Sequence, residues 1–415
     1  MAVQLAPPCL DRLKSEHMEE LDEATSTLDR RTTAEDDYLT VTLLASGLAG
    51  ILRQRADELW HGEVAGLLPD SWRVAFTRLW WRFTEQQATP LDSDLDLLRL
   101  CTEPFAMWPV RLALSETDSY NALLHGEELS SFAEQAARLG KGDVEAEWVE
   151  NRLHQALRRA AEENGVDPAG IERVYAELRR FIIDHPVLTD TEVRQLERRF
   201  AACDGNGQTF VRVLINAAYV GHAVSGPYRY RRCPGCRNTL GQIGIGCETV
   251  GCAGGVPEDV TVTSLAMVYE YHRATRRYIH DPGLVEVRIF DAISDCEELI
   301  QAVRAVLFAG VDAVDVLVEF LDPRQRDGAD APVVLERWGI DAKDQASARL
   351  LGRGFTWPQH FDCDERILAL PKHRAEQPGY VEDLEAELEG RVRVTVLTEQ
   401  ELLRRIKARA GRLGW

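Results

Sequence analysis

Basic charge is scarce in this chain: 48 Lys and Arg stand against 68 Asp and Glu in 415 residues, a formal net charge of −20. That excludes a free-standing, nonspecific DNA binder, which would draw its affinity from a broad basic face. Any nucleic-acid contact must be local or helped by a basic partner. Long hydrophobic runs are missing too. The longest apolar stretch, around Val41–Leu52, is too short and too interrupted to span a bilayer, so no membrane contact is expected. The N-terminus lacks the basic–apolar–small pattern of a secretory signal. No internal repeat and no low-complexity tract is present. A disulfide framework is not indicated either. The nine cysteines are odd in number and four of them cluster, which fits metal binding in a reducing cytosol. A cytoplasmic, globular protein of two or three domains is what these absences leave.

Residues 1–220 read as a helical domain. Val144–Asn164 carries apolar marks at Ala146, Val149, Leu153, Ala156 and Leu157, a helical spacing. Asp167-Pro168 opens the next helix, with Val174, Leu178, Phe181 and Ile182 on one face. Thr189 and Asp190 start another, over Glu192–Phe200. Trp60, Trp72, Trp80, Trp81 and Trp108 are spaced as core residues rather than as a stacking platform. Asp92, Asp94 and Asp96 read as a loop and helix start. Asp204-Gly-Asn-Gly-Gln208 resembles half a calcium loop but has Thr209 where Gly is needed, so it reads as a turn. Helical character breaks at Gly221–Pro227 and again at His280-Asp-Pro-Gly283. The expected domains are therefore 1–220, 221–280 and 281–415.

The middle segment carries Cys233-Pro-Gly-Cys236, then Cys247 and Cys252. Two short Cys pairs around a Gly-rich hairpin are the sequence form of a four-cysteine zinc ribbon. Four thiolates close the tetrahedral shell of Zn²⁺, which makes the role structural. Gly241, Gly244 and Gly246 do not form a dinucleotide loop, because no strand–turn–helix context surrounds them. Arg229, Arg231, Arg232 and Arg237 flank the ribbon, with Tyr228 and Tyr230 between them; Arg273, Arg276 and Arg277 follow. Arginine interleaved with aromatic residues suits phosphate contact and base stacking, so these are the candidate nucleic-acid contacts.

Chemistry is concentrated further on. Val314–Leu321 and Val333–Asp341 read as two strands joined by a turn over Asp322–Ala331. Antiparallel pairing places Asp315 beside Asp341, and Lys343 shares a strand face with Asp341. Two carboxylates can hold Mg²⁺ or Mn²⁺, which acidifies a water and polarises a phosphoryl oxygen. A lysine beside them can orient that water and stabilise developing negative charge. Val285–Phe290 alternates like a strand; read as a helix instead, it lets Glu286 present a third carboxylate. Asp312 competes with Asp315 for the first position.

The order of these residues resembles the PD-(D/E)xK restriction-endonuclease superfamily, with Asp341 in the (D/E) position. The resemblance implies an α-β-β-β-α-β core. It would comprise a helix around Gly283–Ala302, a strand Val303–Phe308, the two strands above, a helix Asp344–Leu351 and a strand Arg366–Leu370. A strand Arg391–Leu397 and a helix Thr398–Arg409 would follow. More narrowly, five marks are similar to restriction-endonuclease-like proteins associated with prokaryotic PIWI-type proteins. They are Pro282-Gly283-Leu284-x-Glu286, Gly310-x-Asp312-Ala313-x-Asp315, Trp338-x-x-Asp341-x-Lys343-Asp344, Pro371-x-x-Arg374 and Pro378-Gly379-Tyr380. Val314 stands where the superfamily has Pro. The resemblance implies a metal-dependent DNA endonuclease of a defence complex, with a PIWI-like protein and a helicase as partners. A non-catalytic zinc-ribbon scaffold or nucleic-acid-binding subunit of such a complex is the alternative.

Overall fold

The structure is a computed structural model that describes residues 33–54, 68–89, 91–140, 144–240, 247, 249–264, 266–272, 275–325 and 332–414. It divides into two compact units, Met1–Asp143 and Val144–Trp415.

The first unit is mostly helical. Helix α1 covers residues 33–54; α2 (Asp70–Glu85), α3 (Asp94–Leu100) and α4 (Ser131–Leu139) follow. Trp72, Ala75, Leu79 and Phe83 form the buried stripe of α2 at helical spacing. Trp80 and Trp81 fall outside that stripe and are exposed, so the expectation that they are core fails. Trp72 and Trp108 are buried as expected, and Trp60 lies outside the described residues. Asp94 opens α3 behind the Ser93 cap and accepts from Trp72 Nε1 at 2.7 Å. Helices α1 and α2 meet where Gly47 faces Trp72.

The second unit begins with α5 (Val144–Asn164), α6 (Pro168–Asp184), α7 (Asp190–Arg199) and α8 (Phe210–Ala218). Their starts follow the local chemistry. Asp167 caps α6 ahead of Pro168, and Thr189 with Glu192 forms a capping box on α7. Asp204 Oδ1 accepts from the N–H groups of Asn206 and Gln208, both at 2.9 Å, and so is taken up by its own turn. Strands β1 (Val187–Thr189) and β2 (Tyr219–Ala223) flank β6 (Met267–Tyr271) in one small sheet. Between β2 and β6 the chain makes a second sheet of β4 (Thr239–Leu240), β3 (Tyr228–Arg232) and β5 (Glu258–Val262). The cysteine ribbon is therefore an insertion within the small sheet, not an appendage.

The C-terminal part is a mixed five-stranded sheet: β7 (Val303–Leu307), β8 (Val316–Leu321), β9 (Val334–Ala342), β10 (Glu365–Leu370) and β11 (Thr395–Thr398), in that spatial order. The first three are antiparallel, and β9, β10 and β11 run parallel. Helix α9 (Asp281–Ser294) precedes the sheet; α10 (Ala348–Gly354), α11 (Tyr380–Leu388) and α12 (Glu399–Leu413) complete it. Val285–Phe290 is helical, so the strand alternative is excluded. Three elements are shorter or later than expected, among them β11, which starts at Thr395 instead of Arg391. Helix α9 stops at Ser294 instead of Ala302, and the segment after Lys343 stays non-helical until Ser347 caps α10.

Alternate residues of the sheet serve two cores, as a strand period of two requires. Val316, Val318, Phe320, Ile340, Ile367 and Ala369 join a core that also contains Leu157, Leu178, Val193 and Leu214. Leu317, Leu368 and Leu370 join another with Leu351, Tyr380 and Leu384. Helices α5–α8 thus share one core with the C-terminal sheet.

A Cβ on Gly47 would come within 2.6 Å of Trp72 Cβ and 2.7 Å of its Cα. Gly47→Ala gains about 1 kcal/mol of helix propensity but overpacks a backbone contact, at a cost of about 1–3 kcal/mol. The urea midpoint of the N-terminal unit should fall; a rise would contradict the close helix approach.

Candidate active site and metal centre

The sheet ends in a cluster of carboxylates and cations. Val316 pairs with Ile340 in the β8–β9 register, which sets Asp315 across from Asp341. Asp315 Oδ2 accepts from the backbone N–H of Ala342 at 2.7 Å. Lys343 N–H continues the pairing by donating to Ala369 O at 3.0 Å. Lys343 Nζ lies 3.8 Å from Asp315 Oδ2 and forms a close ion pair with Asp341 Oδ1. Asp341 Oδ1 is shut away from solvent and has no well-angled hydrogen bond. Burial pushes Asp341 up to about 7; Lys343 pulls against the rise and Asp315 adds to it. Lys343 is held well above its ordinary value by the two aspartates, against the effect of burial.

Asp315 is presented by a contorted turn. Phe308, Val311 and Asp312 adopt φ of 54°, 55° and 73°, a region that costs bulky residues energy. Phe308 N–H donates to Asp315 O at 2.7 Å, closing the turn. Asp312 points away from the Asp341–Lys343 pair toward α6. It accepts from Tyr175 Oη at 3.1 Å and pairs with Arg179 Nη1. Asp315 therefore stands at the strand end and Asp312 in the turn that supports it.

Glu286 projects from α9 into the same cluster and is buried. Both its oxygens accept from Arg179 Nη2, at 3.1 and 2.9 Å. Burial raises its carboxyl; Arg179 opposes this, while Asp315 and Asp312 reinforce it. The Arg179 guanidinium also lies over the Phe308 ring, 4.1 Å from its centroid. His154, on α5, lies 3.7 Å from Asp312 Oδ2. Burial, then the Arg179 charge, lowers His154 to about 4. On the far side, Asp344 accepts from His373 Nε2 at 3.0 Å and Arg374 Nε at 2.7 Å. Burial works against it, but these bonds hold Asp344 below the usual carboxylate range.

Asp315, Asp341, Lys343 and Glu286 are thus brought together. Arg179, Tyr175 and His154 were missed. The available signal was a charge inside an apolar stripe: Arg179 sits among Tyr175, Leu178 and Ile182 on the buried face of α6.

In the ribbon, the Sγ atoms of Cys233, Cys236, Cys247 and Cys252 all lie within 4.8 Å of one another. Sulfurs held at about 2.3 Å from a tetrahedral zinc would sit somewhat under ~4 Å apart. The Cys233–Cys252 and Cys236–Cys247 pairs are at 3.5 and 3.3 Å, so the donor set fits Zn²⁺. His280 Nε2 contacts Cys236 O at 3.0 Å, and its Nδ1 contacts Asp281 Oδ1 at 2.9 Å. The ribbon is in this way tied to the first turn of α9.

The arginines are only partly available. Arg232 pairs with Glu258 at 2.6 Å, and Arg231 faces Asp259 across the β3–β5 register. Arg229 faces Thr261 and is exposed, as is Arg237. Arg276 lies 3.8 Å from Asp281; with Arg277 it belongs to the short helix Arg276–His280 that leads into α9. Arg273 is outside the described residues. Among the described residues no helix is long and apolar enough to cross a membrane.

Two family models match the chain: "REase associating with pPIWI_RE" over residues 283–414, and "pPIWI_RE three-gene island domain Y" over residues 46–189. Neither a curated protein nor a solved structure matches it. The second matched segment spans both structural units and includes Arg179.

Purified protein should carry one zinc per chain by atomic emission, and Cys236→Ser should lose it; full retention of zinc would contradict the four-thiolate site. His154 predicts acid sensitivity. With its folded value at about 4 and an ordinary value of 6.5, the unfolded chain takes up a proton that the folded chain refuses. Stability is present above about pH 6.5 and is lost as pH falls toward about 4, by on the order of 3 kcal/mol. His154→Gln should flatten the dependence of unfolding free energy on pH in that window; an unchanged slope would exclude this origin.

Proposed function

We propose that this pPIWI_RE-associated protein, with its REase-like C-terminal region, is a divalent-metal-dependent endonuclease that hydrolyses DNA phosphodiesters within a prokaryotic defence module. The observation that carries this reading is the convergence of Asp315, Asp341 and Lys343 at one end of the mixed sheet, two carboxylates of the donor type a hard divalent ion takes with a lysine beside them. The element order α9, β7, β8, β9, α10, β10 is the one expected of a PD-(D/E)xK core.

Asp315 and Asp341 would hold Mg²⁺ or Mn²⁺, hard ions that prefer carboxylate oxygen. The bound ion supplies a water of lowered pKa and draws charge from the phosphoryl oxygens. The side chains do the rest. Ala342 N–H fixes one oxygen of Asp315, and the other would be left for the ion. Lys343 Nζ, held between the two aspartates, donates to the attacking water and to the developing phosphorane charge. Asp344, clamped by His373 and Arg374, keeps the strand end from rotating Lys343 away.

The ribbon would present Arg229, Arg231 and Arg237, with Tyr228 and Tyr230, to the DNA backbone; Arg232, Arg273, Arg276 and Arg277 extend the same stretch of chain. Such a local basic patch on an acidic protein favours recruitment by partners, and the PIWI-like protein and helicase of the module are the proposed ones. Zinc in the ribbon is structural.

The test is cleavage of plasmid and single-stranded DNA with Mg²⁺ or Mn²⁺, with and without the neighbouring proteins of the module. Lys343→Ala should lower the rate by about 100-fold or more with folding unchanged. Cleavage that survives in the variant would remove Lys343 from the chemistry. No cleavage in any combination would favour the zinc-ribbon scaffold.

A further inference from the structure

The space beside Glu286 is already filled by a cation. Both Glu286 oxygens accept from Arg179 Nη2, and Arg179 Nη1 pairs with Asp312. Glu286 and Arg179 are 3 % and 4 % exposed. A guanidinium does not deprotonate and cannot be displaced without stranding buried Glu286 and partly buried Asp312. Packing fixes it as well. Helices α6 and α9 approach so closely that a Cβ on Gly283 would come within 2.5 Å of Ile183 Cδ1. Arg179 lies one turn before Ile183 and Glu286 about one turn after Gly283, so this contact sets the guanidinium over the carboxylate.

The charges count the same way. Glu286, Asp312, Asp315 and Asp341 are four carboxylates, and Arg179 and Lys343 are two cations that interact with them. With all four carboxyls ionised the cluster carries two net negative charges, which a single divalent ion neutralises.

We propose that Arg179 acts as a built-in cation in place of a second metal ion, holding Glu286 and Asp312 out of metal coordination, so that the site takes one divalent ion, at Asp315 and Asp341. Arg179 is then a positioning residue. This rests on the metal-dependent reading above. It also means that α6, from outside the REase-like segment, completes the site.

The test is Mn²⁺ binding to the full-length, zinc-loaded chain, read by electron paramagnetic resonance and calorimetry without DNA. Wild type should bind one Mn²⁺ per chain, and Asp341→Asn should abolish it. Glu286→Gln should keep one ion, with affinity lowered by about 10- to 100-fold, as for groups that only support a ligand. Arg179→Met should raise the stoichiometry to two. Should that variant fail to fold, Glu286→Gln, nearly the same shape, carries the test. Two ions in wild type, or loss of the ion in Glu286→Gln, would overturn the proposal while leaving the nuclease reading standing. No Mn²⁺ binding in wild type would overturn both.

Discussion

The pairing of β8 with β9 is the constraint on which the acidic end of the sheet depends. Val316 opposite Ile340 places Asp315 opposite Asp341. A slip of one residue would turn every side chain of β9 to the other face and separate the two carboxylates. The register is held by burial on both faces. Val316, Val318 and Phe320 enter one core and Leu317 the other. Glu319, buried in the middle of β8, is clamped by Arg304 and Arg337 from the two neighbouring strands. That cross-strand pairing works only in this alignment.

With the strands fixed, the cluster places like charges together, and the surrounding structure absorbs the cost. The turn before Asp315 carries three residues with positive φ that are not glycine. Burial and the nearby Asp315 charge raise Asp341. Such strain is found where function requires an arrangement that folding alone would not choose. The compensation comes from a different part of the chain: Arg179 answers Glu286 and Asp312, and His154 stays neutral beside them. Helices α5–α8 share the core of the sheet, so the site and its support are one packed body.

Among the ribbon's contacts with that body, two lead toward the site. His280 bridges Cys236 O and Asp281 at the start of α9, the helix that carries Glu286. Gly251 lies so close to the His373 ring that a Cβ there would overlap it, and His373 in turn contacts Asp344 next to Lys343. The four cysteines thus stand a few contacts away from both Glu286 and Lys343.

Local chemistry determined the elements. Asp167-Pro168 and the Thr189–Glu192 box opened helices because capping needs only a few neighbouring residues. The cysteine spacing brought out the four sulfurs, and the alternation of Val314–Leu321 with Asp341-x-Lys343 limited which carboxylates could meet. Tertiary structure decided the rest. Trp80 and Trp81 are exposed because a helix buries one stripe, and which stripe is set by its neighbours. Val285–Phe290 is helical because α9 packs on the sheet, overriding a strand-like alternation. That Asp312 meets Arg179 while Asp315 lies beside Lys343, and the presence of Arg179 at all, depended on α6 crossing α9, which lies far along the chain. No local pattern encodes that crossing, because it arises from apolar surfaces that recognise each other only after the helices have formed.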